Sequence, residues 1–307
     1  MQHHCALEDI TLEHSWLTIG VYDGVHRGHQ EIIRRLIRGA HADGMPAVAL
    51  TFDPHPAVVL SGREIKLLTT PVERAEDFET LGLDELVTVA FTMELSRVSA
   101  FEFMSRLKSR LGLNQLLIGY DFALGKGREG NTARLTEIGR ELDYQVQIIA
   151  AVSDESGVIS STEIRKLVST GDVAEAARLL GHPYSLRGKV VHGDGRGHRI
   201  NIPTANMDYP LSKVIPANGI YACWAYVGEE KFKALVNIGI NPTFTPDKQT
   251  PNVEAHLLDF DRKIYDQVLK LEFVERLRDE KKFDSVEALI EQIHKDIERG
   301  RQILNGK

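Results

Sequence analysis

The order of apolar and polar residues divides the chain into two parts of different texture. In the first part, short apolar runs alternate with stretches in which apolar residues recur at helical spacing. Strands separated by helices of this length predict an α/β domain, a parallel sheet with helices on both faces. The predicted strands are residues 16–19, 47–52, 86–91, 115–119 and 144–152, and the predicted helices are 31–40, 71–81, 101–111 and 130–142.

The second part begins near residue 183 and consists mainly of strand candidates, with glycine, proline and asparagine in the gaps. Long helices do not separate these strands, so an antiparallel barrel or sandwich is expected, closed by one amphipathic helix at the end of the chain. The strand candidates are residues 186–191, 219–227, 231–238, 253–260 and 268–274, and the helix is 285–304. The predicted domains are therefore residues 1–182 and 183–307.

Composition and charge narrow the classes of function. The net charge of −7 argues against a protein that binds nucleic acid through a broad basic face. Cys5 and Cys223 are too few and too far apart for a disulfide framework or a zinc site. Membrane-spanning and signal-peptide patterns are both missing from the sequence. A cytoplasmic enzyme without a membrane partner is expected, with His3 and His4 in a flexible terminus that binds no metal.

The glycine loop at residues 20–29 joins the first predicted strand to the first predicted helix. Free backbone N–H groups and the helix dipole make this a favourable place for a nucleotide phosphate, with Gly24 and Gly28 as phosphate-binding candidates. His26 and His29 share one face of the first helical turn and can donate hydrogen bonds to phosphate oxygens. His-x-Gly-His in this position is typical of nucleotidyl transfer, and the alternative is an ordinary surface turn.

A second candidate phosphate cradle occupies residues 159–165. The hydroxyls of Ser160, Ser161 and Thr162 precede a helix pattern, and Arg165 can hold two oxygens at once. Such a cluster is often only a helix cap. The two cradles together predict in-line attack on the α-phosphorus of ATP, with release of pyrophosphate.

Two further segments follow predicted strands, at the edge of a parallel sheet where ligands bind. The first carries Asp53, Pro54 and His55. The second is a glycine-rich loop that carries Asp121 and Phe122 beside two cations. This loop suits a polar aromatic ligand, and the alternative is a mobile surface loop.

The C-terminal part contains a second phosphate apparatus. Gly193, Gly195 and Gly197 belong to a loop where the backbone can approach phosphate closely, although it lacks the Walker lysine motif. Thr204 and Asn206, in Pro-Thr-Ala-Asn, supply hard oxygen ligands suited to Mg²⁺ that also touches nucleotide phosphates. A glycine hairpin and an ordinary turn are the alternatives.

One strand of this part carries a candidate general base. Glu254, His256 and Leu258 share one face of the predicted strand. A carboxylate in this position can accept the proton of an attacking hydroxyl. The alternative is a solvated surface glutamate.

These motifs, in chain order, resemble the bacterial bifunctional riboflavin kinase/FAD synthetase family. The resemblance implies a Rossmann-like nucleotidyltransferase domain followed by a β-barrel kinase domain. It also implies phosphorylation of riboflavin to FMN and adenylylation of FMN to FAD, with ATP as co-substrate and Mg²⁺ as metal. The matching segments are residues 21–29, 51–56, 119–122, 159–165, 188–199, 203–206, 219–221, 241–244 and 252–260, and residues 275–280 with the final helix also look like the family.

The resemblance also implies roles for single residues. Glu254 would activate the ribityl 5′-hydroxyl, Thr204 and Asn206 would bind Mg²⁺ with ATP, and Arg278 would contact the flavin. The ATP phosphates would be held by His26, Gly28, His29, Ser161, Thr162 and Arg165, and the flavin or ATP pocket would be lined by Asp53, Pro54, His55 and Asp121.

The chain departs from the family pattern at Ile200-Asn201-Ile202, where the family has Leu-Gly and an apolar or aromatic residue. Asparagine tolerates left-handed backbone better than other non-glycine residues, so the fold is expected to survive while the kinase rate stays in question. One alternative is therefore a mono-functional FMN adenylyltransferase with a non-catalytic, flavin-binding C-terminal domain. A nucleotidyltransferase for another metabolite and a nucleotide-binding regulator are less favoured, and self-association stays open.

Overall fold

The computed structural model describes residues 1–154, 157–193, 202–239 and 251–306. Their contacts divide the chain into two compact units, Met1–Ser161 and Thr162–Lys307. Each unit has its own sheet and core, and each is described by itself below.

The first unit is the predicted parallel sheet with helices on both faces. Its strands are β1 (Gln2–His4), β2 (Ser15–Ile19), β3 (Ala47–Asp53), β4 (Glu85–Ala90), β5 (Leu113–Gly119), β6 (Ala123–Leu124), β7 (Gly130–Asn131), β8 (Gln145–Ile149), β9 (Ser153–Asp154) and β10 (Gly157–Val158). Its helices are α1 (Arg27–Ala42), α2 (Pro56–Ser61), α3 (Pro71–Leu81), α4 (Ala100–Leu111) and α5 (Thr132–Leu142). In the described residues the main sheet has the order β1-β4-β3-β2-β5-β8, and the remaining strands form two small hairpins.

Alternation along the central strands explains why both faces of this sheet are covered. In β2, Leu17 packs into the apolar cluster that includes Phe103 of α4, whereas Trp16 packs into the opposite cluster with Ile33 of α1 and Phe78 of α3. Successive strand residues point to opposite faces, so a run of buried apolar residues needs a helix layer on each side. The Rossmann-like prediction is confirmed.

Capping residues explain why helices α3 and α4 begin close to where the sequence predicted. The Thr70 hydroxyl accepts a hydrogen bond from the backbone N–H of Glu73, and the Glu73 carboxylate accepts one from the backbone N–H of Thr70, at 2.8 Å. Ser99 caps α4 in the same way by accepting from the backbone N–H of Glu102. These interactions satisfy N–H groups that the helix itself leaves unpaired.

The expectation of a flexible N-terminus is wrong. Residues of β1 pair with β4 in parallel, which places this segment at the edge of the sheet. His3 Nε2 lies 2.9 Å from the Thr88 hydroxyl, and His4 Nε2 lies 2.7 Å from the Glu85 carboxylate. Three residues are too short a strand to show a period of two, so the sequence pattern could not identify it.

The second unit begins with two helices and continues into a closed antiparallel barrel. The helices are α6 (Ser161–Thr170) and α7 (Val173–Leu180), and the strands are β11 (Tyr184–Val191), β12 (Ala205–Asp208), β13 (Gly219–Val227), β14 (Glu230–Gly239), β15 (Asn252–Leu257) and β16 (Val268–Arg278). Across the described residues the barrel order is β11-β12-β15-β14-β13-β16, closed by pairing of β11 with β16. This confirms a barrel where the sequence left barrel and sandwich open.

The final helix, Val286–Asn305, lies against the outer wall of the barrel and is capped by Ser285. Its Leu304 shares an apolar cluster with Ala222 of β13 and Leu235 of β14. Helix α7 also packs on the barrel, against β11 and β16. The compact units thus divide after Ser161, and a domain boundary between residues 182 and 183 stays a prediction.

Candidate functional sites

The glycine loop between β2 and α1 has an unusual backbone. Tyr22 and Val25 have φ of 53° and 37°, in the left-handed region that non-glycine residues avoid. A β-branched residue such as Val25 adopts this conformation only where its surroundings enforce it, and such positions concentrate at functional sites. Burial supplies part of that constraint, because the Val25 side chain is 1% exposed and Tyr22 is 3% exposed.

The buried carboxylate of Asp23 also constrains the backbone of this loop. Asp23 accepts hydrogen bonds from the backbone N–H groups of Leu68 at 2.9 Å and Thr69 at 3.0 Å. The Thr69 hydroxyl in turn accepts from the backbone N–H of Gly24, at 2.9 Å. Charge-assisted bonds of this kind are stronger than neutral ones, so the loop is clamped onto the segment before α3. The Ser161 hydroxyl donates to the Asp23 carbonyl at 2.8 Å, so this one residue of the predicted second cradle contacts the loop.

The two histidines form one stacked pair at the start of α1. His26 is the N-cap residue, and its Nδ1 accepts from the backbone N–H of His29 at 3.4 Å. The ring centroids lie 3.6 Å apart with an interplanar angle of 20°. Gly28 permits this stack, because a Cβ there would lie 3.1 Å from the His26 ring.

The surroundings of His29 favour its neutral form. Burial, then His26, then Arg74 hold the pKa of His29 well below its usual value. Its Nδ1 is buried and has no hydrogen-bond partner in the part of the chain that the structure describes. At neutral pH His29 is therefore an uncharged imidazole, able to donate one hydrogen bond.

Sequence reasoning missed Arg74, which lies beneath this loop. Its guanidinium is buried, and Nη1 donates to the Val21 carbonyl and, at 3.2 Å, to the Thr51 hydroxyl. Burial lowers the pKa of Arg74, while the carboxylates of Asp23 and Asp53 oppose that shift. The sequence feature that could have identified Arg74 is its position four residues before Phe78, on the apolar face of α3.

A cavity of about 500 Å³ opens beside the loop, within the first unit. Of the predicted flavin residues, Asp121 and Phe122 line it. Asp53, Pro54 and His55 lie between two other lining residues, Phe52 and Pro56, and His55 caps α2 by accepting from the backbone N–H of Ala57. The size and mixed lining are those of a small-molecule site. The remaining lining residues include Val21, Leu60, Phe91, Leu95, Val98, Phe103, Leu124 and Arg128.

The predicted second cradle coincides with the start of α6. Ser161 is the first residue of that helix, Thr162 the second, and Arg165 lies about one turn further on. Ser160 precedes the helix and is half-buried. The hydroxyls therefore lie at a helix N-terminus, as predicted, and their assignment to ATP phosphates stays a prediction.

In the barrel, one row of residues crosses five neighbouring strands. Glu254 of β15 is the register partner of Asn206 on β12 and of Asn237 on β14. Asn237 is also opposite Ile220 of β13, which is opposite Arg278 of β16. We call these five residues the transverse row. Directly opposed residues share a face of the sheet, so residues 72 positions apart in sequence lie on one wall.

Four of these row residues line a cavity of about 370 Å³ between the barrel wall and the final helix. Thr204 also lines it, so Thr204, Glu254 and Arg278 share one cavity, and their roles stay predictions. The helix contributes a largely apolar wall that sequence reasoning did not assign. The lining residues are Ile202, Thr204, Ile220, Leu235, Val236, Asn237, Glu254, His256, Arg278, Glu280, Lys281, Phe283, Val286, Leu289, Ile293 and Asp296.

Arg278 is held by an ion pair inside this cavity. Its Nε and Nη2 donate to the Asp296 carboxylate at 3.0 Å and 2.7 Å, and its Nη1 donates to the Asp279 carbonyl at 2.9 Å. Gln292 donates to the same carboxylate at 2.9 Å. The charge of Arg278 is thus balanced by the final helix, and this pair ties the helix to β16.

A second barrel cavity, of about 290 Å³, lies on the other side of Thr204, which lines both. Arg262, Lys263 and Tyr265 line it, and the Tyr265 ring stacks on His192 at 3.9 Å. Gly193 follows His192 in the chain, and a Cβ atom at position 193 would lie 2.1 Å from the Asn206 amide nitrogen. Only glycine lets the Asn206 side chain lie this close to the backbone of residue 193. The structure therefore places Gly193 of the predicted phosphate loop next to Asn206, a predicted metal ligand.

Several predicted residues lie outside the described part of the chain. Gly195, Gly197 and Asn201 belong to residues 194–201, and the motif at 241–244 belongs to residues 240–250. Among the described residues there is no cluster of three or more His, Cys, Asp or Glu side chains that could hold a metal. The helices of the described residues include none that is long and apolar enough to cross a bilayer.

Comparisons with known proteins match both units. A family model described as FAD synthetase matches residues 9–163, and one described as riboflavin kinase matches residues 180–304. The chain is 36% identical to the bifunctional riboflavin kinase/FMN adenylyltransferase of Listeria monocytogenes, over 96% of this chain and 94% of that protein. Identity to the Bacillus subtilis protein of the same description is 35%, over 96% and 93%.

A solved structure is similar over nearly the whole length. It is described as a macrolide-efflux protein from Streptococcus pneumoniae, with a TM-score of 0.90, 32% identity and 98% of both chains covered. The similarity spans both the parallel-sheet part and the barrel part, so the order of the two architectures is shared.

Proposed function

The chain belongs to the family of bifunctional riboflavin kinases/FMN adenylyltransferases, and from this premise we propose which residues carry each activity. The protein phosphorylates riboflavin with ATP to give FMN, and it transfers AMP from ATP to FMN to give FAD. The kinase activity belongs to the barrel part and the adenylyltransferase activity to the parallel-sheet part. The observation that supports the residue assignments is that Thr204, Glu254 and Arg278 line one barrel cavity, while Asp121 and Phe122 line a cavity beside the glycine loop.

For the kinase, we propose that riboflavin occupies the 370 Å³ cavity and ATP the 290 Å³ cavity. Thr204 lines both cavities and would therefore lie where the two substrates meet. Glu254 takes the proton of the ribityl 5′-hydroxyl, the oxygen bonds to the γ-phosphorus, and ADP leaves. Lys263 lines the nucleotide cavity beside Asp261 and Arg262, and Arg262 is paired with Glu230.

The donor set fits Mg²⁺ as the metal of the kinase step. Thr204 and Asn206 offer neutral oxygen ligands, which suit a hard cation whose remaining ligands are phosphate oxygens and water. The Asn206 amide lies against Gly193, so the proposed metal ligand is next to the first glycine of the predicted phosphate loop. When bound, Mg²⁺ would neutralise charge on the transferring phosphate.

For the adenylyltransferase, we propose that FMN binds in the 500 Å³ cavity and the ATP phosphates bind at the loop of residues 20–26. The FMN phosphate attacks the α-phosphorus and pyrophosphate leaves, so the step needs alignment and charge stabilisation rather than a base. His26 and His29 donate to phosphate oxygens from the start of α1. Ser160 and Ser161 contribute further donors at the end of the first unit, and Thr162 and Arg165 of α6 keep the ATP-phosphate role that the family resemblance implies.

One product assay tests the two activities. Purified protein with riboflavin, ATP and Mg²⁺ should form FMN and then FAD, resolved by chromatography. The same protein supplied with FMN should form FAD directly. A mono-functional adenylyltransferase would form FAD from FMN alone, and a protein that forms neither product would overturn the assignment.

A further inference from the structure

One hydrogen bond of His256 joins the two barrel cavities. The His256 ring lines the 370 Å³ cavity, and its Nδ1 lies 2.8 Å from the carbonyl oxygen of Pro203, a residue that lines the 290 Å³ cavity. Thr204 is the next residue and lines both cavities. The contact therefore fixes the backbone at the point where the two cavities meet.

The backbone pairing of β12 with β15 stops just short of this point in the described residues. β12 begins at Ala205, which is opposite Ala255 of β15. Continuing that register by one residue sets Thr204 opposite His256, outside the strand. Pro203 has no N–H group and cannot donate to a neighbouring strand, so its carbonyl is the backbone group left to anchor. The His256 side chain supplies this anchor and extends the ladder past Thr204.

The partner of His256 also fixes its tautomer. A carbonyl oxygen only accepts hydrogen bonds, so Nδ1 of His256 carries the proton that is donated to Pro203. The donor position within the ring is thus defined. An asparagine places its NH₂ group where histidine has Nδ1, whereas the longer glutamine places it near the position of Nε2. These two substitutions therefore separate the role of Nδ1 from that of the rest of the ring.

We propose that His256 is a positioning residue for the kinase reaction, which holds the backbone at Pro203 so that the Thr204 side chain stays between riboflavin and ATP. This role rests on the assignment of the two barrel cavities and of Thr204 to the kinase step. The reaction joins atoms of two substrates, and a misplacement of about 1 Å can cost about 10²-fold in rate. A group at the junction of both sites therefore needs an anchored backbone.

The test compares His256→Asn, His256→Gln and His256→Ala with His294→Gln, a change of an exposed histidine on the final helix. Riboflavin kinase kcat and the KM values for ATP and riboflavin are measured in the full-length protein, with FAD formation from FMN as a second activity. The Gln and Ala variants should lower kinase kcat/KM for ATP about tenfold or more, and the Asn variant should stay within about threefold. FAD formation should stay within about twofold in all four variants.

Hydrogen–deuterium exchange gives a readout that does not depend on activity. The peptide of residues 203–208 contains the anchored segment and the whole of β12. Its amides should exchange faster in His256→Gln and His256→Ala, because the start of the strand loses its anchor, and at the original rate in His256→Asn and His294→Gln.

Equal kinase rates and equal exchange in the Asn and Gln variants would overturn the proposal. So would a His256→Asn variant that loses as much kinase activity as His256→Ala while its exchange stays native, since Nε2 would then carry the role. Should His256→Ala fail to fold, the Asn and Gln variants decide between themselves. Full kinase activity of Thr204→Ala would instead overturn the assignment of Thr204 to the kinase step.

Discussion

The two halves of this protein build their phosphate chemistry in different ways. In the parallel-sheet unit, the loop between β2 and α1 carries its groups within ten consecutive residues, and a clamp from Asp23 holds a strained backbone. In the barrel, the transverse row collects its groups from five strands spread between Asn206 and Arg278. A local site depends on backbone conformation, whereas a distributed site depends on strand register. Changes in one should leave the chemistry of the other intact.

The largest expected effect separates the two activities at Glu254. Glu254→Gln removes the proposed base and should lower riboflavin phosphorylation by about 10²- to 10⁴-fold, while FAD formation from added FMN stays within twofold. Initial rates with each flavin measure both. Glu229→Gln, an exposed change in the hairpin before β14, is the matched control. Equal loss of both activities in a folded protein would contradict two independent sites.

The next effect tests how strongly the distributed site depends on the final helix. Asp296→Ala leaves the Arg278 guanidinium largely buried without its carboxylate, and removing one partner of a buried pair destabilises by about 3–5 kcal/mol. We expect a loss of about 3 kcal/mol in the free energy of unfolding of the barrel, measured by urea denaturation. Glu298→Ala, exposed on the same helix, should change it by less than about 0.5 kcal/mol. Equal stabilities would show that the pair does not hold the helix.

A smaller effect tests the clamp in the local site. Asp23→Asn keeps the shape but removes the charge that two backbone N–H groups share, so the strained loop should relax. FAD formation from FMN should fall about tenfold, mainly through a higher KM for ATP, while riboflavin phosphorylation is unchanged. Steady-state kinetics with varied ATP check this, with the exposed Asp9→Asn as control. An unchanged KM would mean that the loop holds its shape without the charge.

The smallest effect concerns pH. The pKa of His29 is depressed in the folded protein and ordinary in the unfolded chain, so both states are neutral above pH about 6.5. As pH falls below that value, the unfolded state binds a proton that the folded state does not, and stability decreases. The free energy of unfolding of the parallel-sheet unit should therefore fall more steeply between pH 6.5 and 5 than in His29→Gln. Parallel pH dependences, or an NMR titration of His29 near pH 6.5, would contradict the buried neutral ring.

Much of the site at the glycine loop was predictable because the residues that form it are close together in the sequence. The strand, the glycine loop, the histidine pair and the caps at Thr70 and Ser99 each depend on residues a few positions apart. Arg74 escaped prediction because an arginine on an amphipathic helix normally reaches solvent, and only the packing of α3 under the loop buries it. The distributed site was predicted in its motif residues, but not in Asn237 or Asp296, whose positions in it depend on which strands and helix become neighbours.

The sequence by itself determined the two architectures, their order and the chemistry-bearing motifs, because periodicity and turn residues act over short distances. Tertiary structure decided the closure of the barrel, the strand register that places Glu254 between two amides, and the ion pair that neutralises Arg278. These depend on pairing between residues that are far apart in the chain. A shift of register by one residue would turn Glu254 into the barrel interior. The alternation of buried Val253, Ala255 and Leu257 opposes that shift, but only strand pairing decides which residues of β12 and β14 lie opposite Glu254.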